Sequence, residues 1–273
     1  MLNMPRIMSE EMRKTSLPNI LKQLEGTPYE RVNPVTARKR LSFLKTILAF
    51  GAEEGDIDES PASGLTIKAG VETEDRKPFS PDELEVLFAS LNRRVERDSF
   101  YWITVLLLAT GARAGEIIPL EAQDIDLNGQ TPHIRIVSDA TSGRRLKTKH
   151  SERSIPLHPA LLQLGFAEFI KSKEGRLFPE LNADKRGKFS TYFSQLWMRW
   201  LRTKVGITDK SKTLHSLRHS FKSLSRRAGI PEDVHDAITG HSPATVGRGY
   251  GDYPIEMLAR EVERINLPKT LVK

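Results

Sequence analysis

At 273 residues the chain has room for one large domain or two modest ones. It contains no cysteine, which excludes disulfides and thiolate metal sites and is compatible with a reducing cytoplasm. A net charge of +7 and a pI of about 9.5 favour a polyanionic partner. The cations are spread over many predicted helices and loops instead of forming one juxtamembrane block. Residues 1–15 are polar and lack the apolar stretch of a secretory signal. The longest apolar run, Trp102–Ala109 with only Thr104 interrupting it, is far too short to span a bilayer. The expectation is a soluble cytoplasmic protein with no membrane partner.

Residues 1–33 are weakly patterned, and Pro5, Pro18, Pro28 and Pro34 break any long helix there. From Val35 to Glu54 the spacing of Leu41, Leu44 and Leu48 predicts a helix with Arg38, Lys39 and Arg40 at its start and Gly55 as its stop. Residues 55–78 carry Asp-Glu-Ser-Pro-Ala-Ser-Gly and a second polar stretch, and so read as a linker between two domains. Ser80 and Glu83 form a capping box with Pro81 at the first helical position, opening a helix that runs to about Ser90. Phe100–Thr110 is apolar on most sides, predicting a buried helix closed by Gly111. A short helix from Ala114 to Leu120 follows. The period then changes. His133-Ile-Arg-Ile-Val alternates, and Arg153-Ser-Ile-Pro-Leu makes a second short strand, with the basic stretch Arg144–Lys149 between them. Helices resume over 159–171, 189–204, 215–228, 231–239 and 255–265. In the second of these, Phe189, Phe193, Leu196, Trp197 and Trp200 form one apolar face. The predicted class is mainly α with a small antiparallel β-sheet (α+β).

Several residues suit chemistry on a phosphodiester. Arg113 follows Gly111 just past the buried helix and is held near the core, and Arg218 lies one turn after His215, so those two face the same way on one helix. Two guanidinium forks there would clamp the non-bridging oxygens of a phosphate. Such charge stabilisation is usually the largest catalytic contribution, about 3–4 kcal/mol per donor. Glu116, three residues after Arg113, is either a helix-surface acid or a partner that fixes the arginine. Lys147 and Lys149 lie in a basic connection that suits backbone contacts to DNA or protonation of a leaving oxygen. His215 and His241 suit proton movement or donation to phosphate. His219 points about 100° from Arg218 on an ideal helix and is expected to pack or to make a backbone hydrogen bond. Core packing accounts for Tyr101 and Tyr192. Tyr250, between glycines, and the nearby Tyr253 are both accessible candidates for a nucleophile, and chemistry alone does not separate them.

Taken in order, Arg113, Lys147, His215, Arg218, His241 and Tyr250 resemble the tyrosine recombinase (phage integrase) family, with Tyr250 nine residues after His241. The resemblance implies a tyrosine recombinase catalytic-domain fold over 77–273, preceded by a truncated helical core-binding domain and linker over 1–70. It selects Tyr250 over Tyr253 and favours Lys147 over Lys149. It implies that Tyr250 attacks the scissile phosphate, giving a 3′-phosphotyrosyl bond and a free 5′-hydroxyl. Arg113, Arg218 and His241 would hold the transition state, His215 would assist proton movement and Lys147 would protonate the leaving oxygen. No cofactor or metal is expected. The implied partners are double-stranded DNA, three further copies of the chain in a tetramer on DNA, and accessory DNA-bending proteins, with the protein associated with a bacterial nucleoid. Integration or excision of a prophage or mobile element is the expected role. The helix over 255–265 has Ile255, Leu258, Val262 and Ile265 on one face, to be buried on its own domain or on a neighbouring copy. Thr239 stands where Leu is more frequent in the family. Two rival readings remain from sequence: a type IB topoisomerase, and a truncated, catalytically silent DNA-binding relative.

Overall fold

The computed structural model describes residues 5–6, 8–67, 75–91, 98–139, 152–241 and 253–272. The chain divides into two compact units, Met1–Asp75 and Arg76–Lys273. The described residues include no helix long and apolar enough to cross a membrane.

The first unit holds α1 (Glu10–Arg13), α2 (Leu17–Gln23) and α3 (Pro34–Glu53). The two short helices were not legible in the weakly patterned start of the chain. Asn33 caps α3 by accepting from the Val35 amide at 2.8 Å, with Pro34 inside the first turn. The apolar stripe of α3 is buried only in part. Ala37 and Leu41 are covered, while Leu44, on the same helical spacing as Leu41, is exposed alongside Phe43, Ile47 and Phe50.

The second unit begins at α4 (Pro81–Ser90), where the expected capping box is formed. Ser80 Oγ accepts from the Glu83 amide at 3.1 Å, and Glu83 Oε2 accepts from the Ser80 amide at 2.7 Å. Helix α5 (Asp98–Thr110) runs through the core, and every residue from Ser99 to Thr110 is buried. Trp102 packs against Phe166 and Phe169, with ring centroids 5.0 and 5.4 Å away. Trp197 donates its indole N–H to Thr104 Oγ1 at 3.2 Å. Each large side chain buried this way stabilises the fold by about 1.5–3 kcal/mol.

After α6 (Ala114–Ile117) come three antiparallel strands in the order β1 (Ile125–Asp126), β2 (His133–Ile136) and β3 (Arg153–Pro156). Strand β1, only two residues long, was not foreseen. Ile134 and Ile136 of β2 face the core opposite Ile155 and Arg153 of β3. The segment expected as one helix over 159–171 is two, α7 (Pro159–Gln163) and α8 (Phe166–Lys171), because Gly165 turns the chain at φ 87°. Helix α9 (Ser190–Trp200) likewise stops short of 204 and passes into a π-helical turn over Leu201–Val205. Phe193, Trp197 and Trp200 are buried on it, but Tyr192, expected in the core, is 61% exposed. Three helices complete the unit: α10 (Ser216–Arg227), α11 (Glu232–Thr239) and α12 (Ile255–Glu263). Leu258 and Val262 of α12, followed by Ile265, are buried within their own unit, and Glu85 of α4 accepts from the Lys269 and Thr270 amides at 2.8 and 2.9 Å. Of the two sites open to the α12 face, the chain's own core covers it.

Candidate active site

The site forms where α5 ends, α6 and α10 begin, and α11 ends. Gly111, at φ 62°, turns the chain out of α5. A Cβ on it would lie 2.4 Å from the buried Phe221 ring, so only glycine lets α10 approach this closely. That approach lets the Arg218 guanidinium, only 3% exposed as a residue, reach two backbone carbonyls. Arg218 Nη1 donates to Gly111 O at 2.7 Å and to Thr239 O at 2.6 Å. Burial, then repulsion from Arg113, lowers its pKa to about 10, which leaves it cationic at neutral pH.

Arg113 caps the start of α6. Its amide donates to Glu116 Oε2 at 2.8 Å, its Nη1 to Glu116 Oε1 at 2.7 Å and its Nη2 to Gly240 O at 3.2 Å. Glu116 is therefore a buried partner of the arginine and not a surface acid. Burial pushes its carboxyl up, but Arg153 and Arg113 together outweigh that and hold it below the usual carboxylate range.

Arg153 went unassigned in the sequence. Its Nη2 donates to Glu116 Oε2 at 2.9 Å and its Nε to Ile238 O at 2.8 Å, with the side chain 8% exposed. The available signal was register: Arg153 shares a strand face with Ile155, and a charge on an inward face needs a partner.

His241 follows Gly240, which closes α11 at φ 68°. Arg218 Nη2 lies 3.0 Å from His241 Nδ1. The same Nη2 lies 3.4 Å from His241 Nε2, so the guanidinium sits beside both ring nitrogens. Thr239 Oγ1 lies 2.9 Å from the same Nδ1 and 2.8 Å from His235 O, so the Thr239 hydroxyl touches the ring where a leucine would not. Lost solvation, then Arg218 and Lys222, lowers the His241 pKa to about 4. Lys222 is itself paired to Asp236 at 2.7 Å.

His215 occupies the N-cap position of α10, with its ring 5.0 Å from and nearly perpendicular to that of His219. It reaches the surface, yet crowding by protein, then His219 and Arg218, lowers its pKa to about 4. Of the two roles open to His219, the structure shows packing, its ring lying edge-on against that of His215.

The structure thus gathers Arg113, His215, Arg218 and His241. Lys147, Lys149 and Tyr250 lie outside the described residues. Tyr253 is described, and its hydroxyl donates to Asp233 Oδ2 at 2.6 Å. No group of three or more His, Cys, Asp and Glu side chains among the described residues is arranged to hold a metal ion.

The family model described as the phage integrase family matches residues 77–252. The chain is 24% identical over 234 residues to a XerC-like tyrosine recombinase of Caldanaerobacter subterraneus, covering 75% of this chain and 59% of the relative. It is 24% identical over 233 residues to a putative prophage phiRv2 integrase of Mycobacterium tuberculosis, covering 82% and 58%. It is 29% identical over 158 residues to the tyrosine recombinase XerA of Saccharolobus solfataricus, covering 57% and 46%. The chain thus spans about half the length of the curated relatives it matches. Among solved structures, a lambda integrase(75-356) dimer bound to a COC' core site matches with TM-score 0.57 at 16% identity, covering 91% of this chain and 93% of that one. The Tn1549 transposon integrase in complex with a circular intermediate DNA matches with TM-score 0.56 at 18% identity, covering 96% and 95%. These two likenesses establish the fold.

Proposed function

The chain belongs to the phage integrase family, and on that premise we propose that it is a site-specific DNA recombinase that breaks and rejoins strands through a 3′-phosphotyrosyl intermediate. The observation that carries the proposal is the convergence of Arg113, Arg218 and His241, two guanidiniums and an imidazole, at the ends of three helices. Such a cluster suits a phosphate whose charge grows as it is attacked.

Tyr250 attacks the scissile phosphorus through its hydroxyl oxygen. The P–O bond to the 5′ oxygen breaks, and that oxygen takes a proton from Lys147, with Lys149 as the alternative donor. His215, neutral at pH 7, accepts and returns a proton at the tyrosine side. A 5′-hydroxyl from a partner duplex then attacks the phosphotyrosine. The energy of the broken bond stays in the covalent link, so the cycle needs neither nucleotide nor metal. The engagement of Tyr253 with Asp233 supports Tyr250 as the nucleophile.

The first unit, through about residue 70, serves as a short helical core-binding domain, and Arg38, Lys39 and Arg40 of α3 contribute to its hold on double-stranded DNA. The working assembly is a tetramer on DNA, aided by DNA-bending proteins. The prophage integrase among the relatives supports a role in moving a phage or mobile element.

The test is covalent trapping. Nicked suicide duplexes tiled across the DNA flanking the gene are incubated with wild type, Tyr250→Phe and Tyr253→Phe, then run on a denaturing gel. An adduct lost only in Tyr250→Phe is expected. An adduct lost only in Tyr253→Phe overturns the choice of nucleophile, and none from a DNA-binding wild type overturns the activity.

A further inference from the structure

We propose that Arg153 is a positioning residue for strand cleavage: it fixes Arg113 and His241 together without touching the phosphate. The inference rests on the function proposed above and adds a residue to it.

The case begins with where the guanidinium lies. Arg153 points inward from β3 beside Ile155 and is almost fully covered, so it is not a surface contact for DNA. Its planar fork spans two pieces of the site. On one side Nη2 donates to Glu116, the carboxylate whose other oxygen holds the Arg113 guanidinium. On the other side Nε donates to Ile238 O, two residues before Gly240. The fit to that turn is close. A Cβ on Gly240 would lie 2.7 Å from Arg153 Nη1, and the left-handed turn at Gly240 is what presents His241. A third link closes the ring, because Arg113 Nη2 donates to Gly240 O at 3.2 Å. Arg153 therefore braces the two elements that carry Arg113 and His241 against each other.

Charge supports the same assignment. Without Arg153, Glu116 would face Arg113 with one fewer partner for its burial, since Arg153 contributes the largest single opposing interaction on that carboxyl. A guanidinium is required here and not simply a cation. An ammonium on the shorter lysine stem has no planar fork to bridge Glu116 and Ile238 O at once.

The test uses the full chain. Wild type, Arg153→Lys and Arg153→Met are compared for duplex affinity, for single-turnover cleavage of a suicide duplex at saturating protein, and for the ¹⁵N shifts of the His241 ring. Misplacing a catalytic group by about 1 Å costs roughly 100-fold in rate. Arg153→Met should keep affinity within about twofold while cleaving about 100-fold more slowly. Arg153→Lys should keep the fold and recover only part of the rate, with the His241 shifts still displaced. Arg153→Lys cleaving at the wild-type rate, or unchanged His241 shifts in both variants, overturns the proposal. If Arg153→Met fails to fold, Arg153→Lys decides. If wild type forms no adduct, the functional reading fails by itself, and the His241 shifts in Arg153→Lys still decide the bracing role.

Discussion

Replacing Gly111 by alanine tests how tightly the site is built on the core. Two penalties combine. The residue sits at φ 62°, a left-handed conformation costing an L-residue about 1–2 kcal/mol. The added Cβ would lie 2.4 Å from Phe221 Cδ1 and 2.9 Å from Thr239 Cγ2, where carbon atoms sit comfortably at about 3.5–4.0 Å. Phe221 is wholly buried and cannot swing away, so overpacking adds about 1–3 kcal/mol. The expected loss is about 2–5 kcal/mol, read as a fall in urea midpoint at unchanged slope. Gly111 O also accepts from Arg218, so the relaxation that relieves the clash displaces the guanidinium, and cleavage should fall about 100-fold in protein that remains folded. Gly115→Ala is the control. Among the described residues, nothing beyond its chain neighbours and its own helix backbone lies within 4 Å of its Cβ position, its φ is ordinary and it sits in α6, so it should be neutral or stabilise by up to about 1 kcal/mol. A Gly111→Ala loss below about 1 kcal/mol, or one equal to the Gly115→Ala effect, refutes the packing argument.

Three further outcomes are expected. Thr104→Val keeps the shape of a fully buried side chain but removes the acceptor for Trp197 Nε1, and should cost about 1–3 kcal/mol in chemical denaturation. Arg218→Lys forfeits the fork that reaches Gly111 O and Thr239 O, and should slow single-turnover cleavage by about 10²–10³ while thermal unfolding remains cooperative. His215 and His241, with pKa values near 4, are neutral in the free protein at pH 7. A bound phosphodiester raises both values, so the complex binds more protons than the free protein, and affinity should tighten as pH falls from 7 toward 5 at fixed salt. Anisotropy titrations should show this slope flattened by His241→Asn, and a wild-type affinity that weakens over that range contradicts the assignment.

The parts of the fold that the sequence disclosed are those written in side chains. The Ser80–Glu83 box, the uniformly apolar α5 and the alternation in β2 and β3 each carry a local signature, and each element forms where that signature lies. Apolar periodicity was less informative about width. It marks a stripe without saying how far cover extends, which is why Leu44 and Tyr192 are exposed and why the burial of α12 needed the structure. In the site, residue types suited to phosphate chemistry were visible, as was Glu116 as an option. Arg153 was not, because its importance comes from strand register and from Ile238 O, a backbone atom that any residue at 238 would supply.

That point bears on how the three guanidiniums are held. Arg113 and Arg153 share a carboxylate, whereas Arg218 Nη1 donates to the carbonyls at the ends of α5 and α11. Helix C-termini offer partial negative charge and fixed geometry but no formal charge. Neutral acceptors can thus hold a cation in place without neutralising it. Among the described residues, Arg113, Arg153, Arg218 and Lys222 stand against Glu116 and Asp236, which leaves the cluster with a standing excess of positive potential before any ligand arrives. An anion of one charge relieves part of that potential and an anion of two relieves more, so the scaffold's own self-repulsion becomes a preference for the more highly charged species along the reaction path.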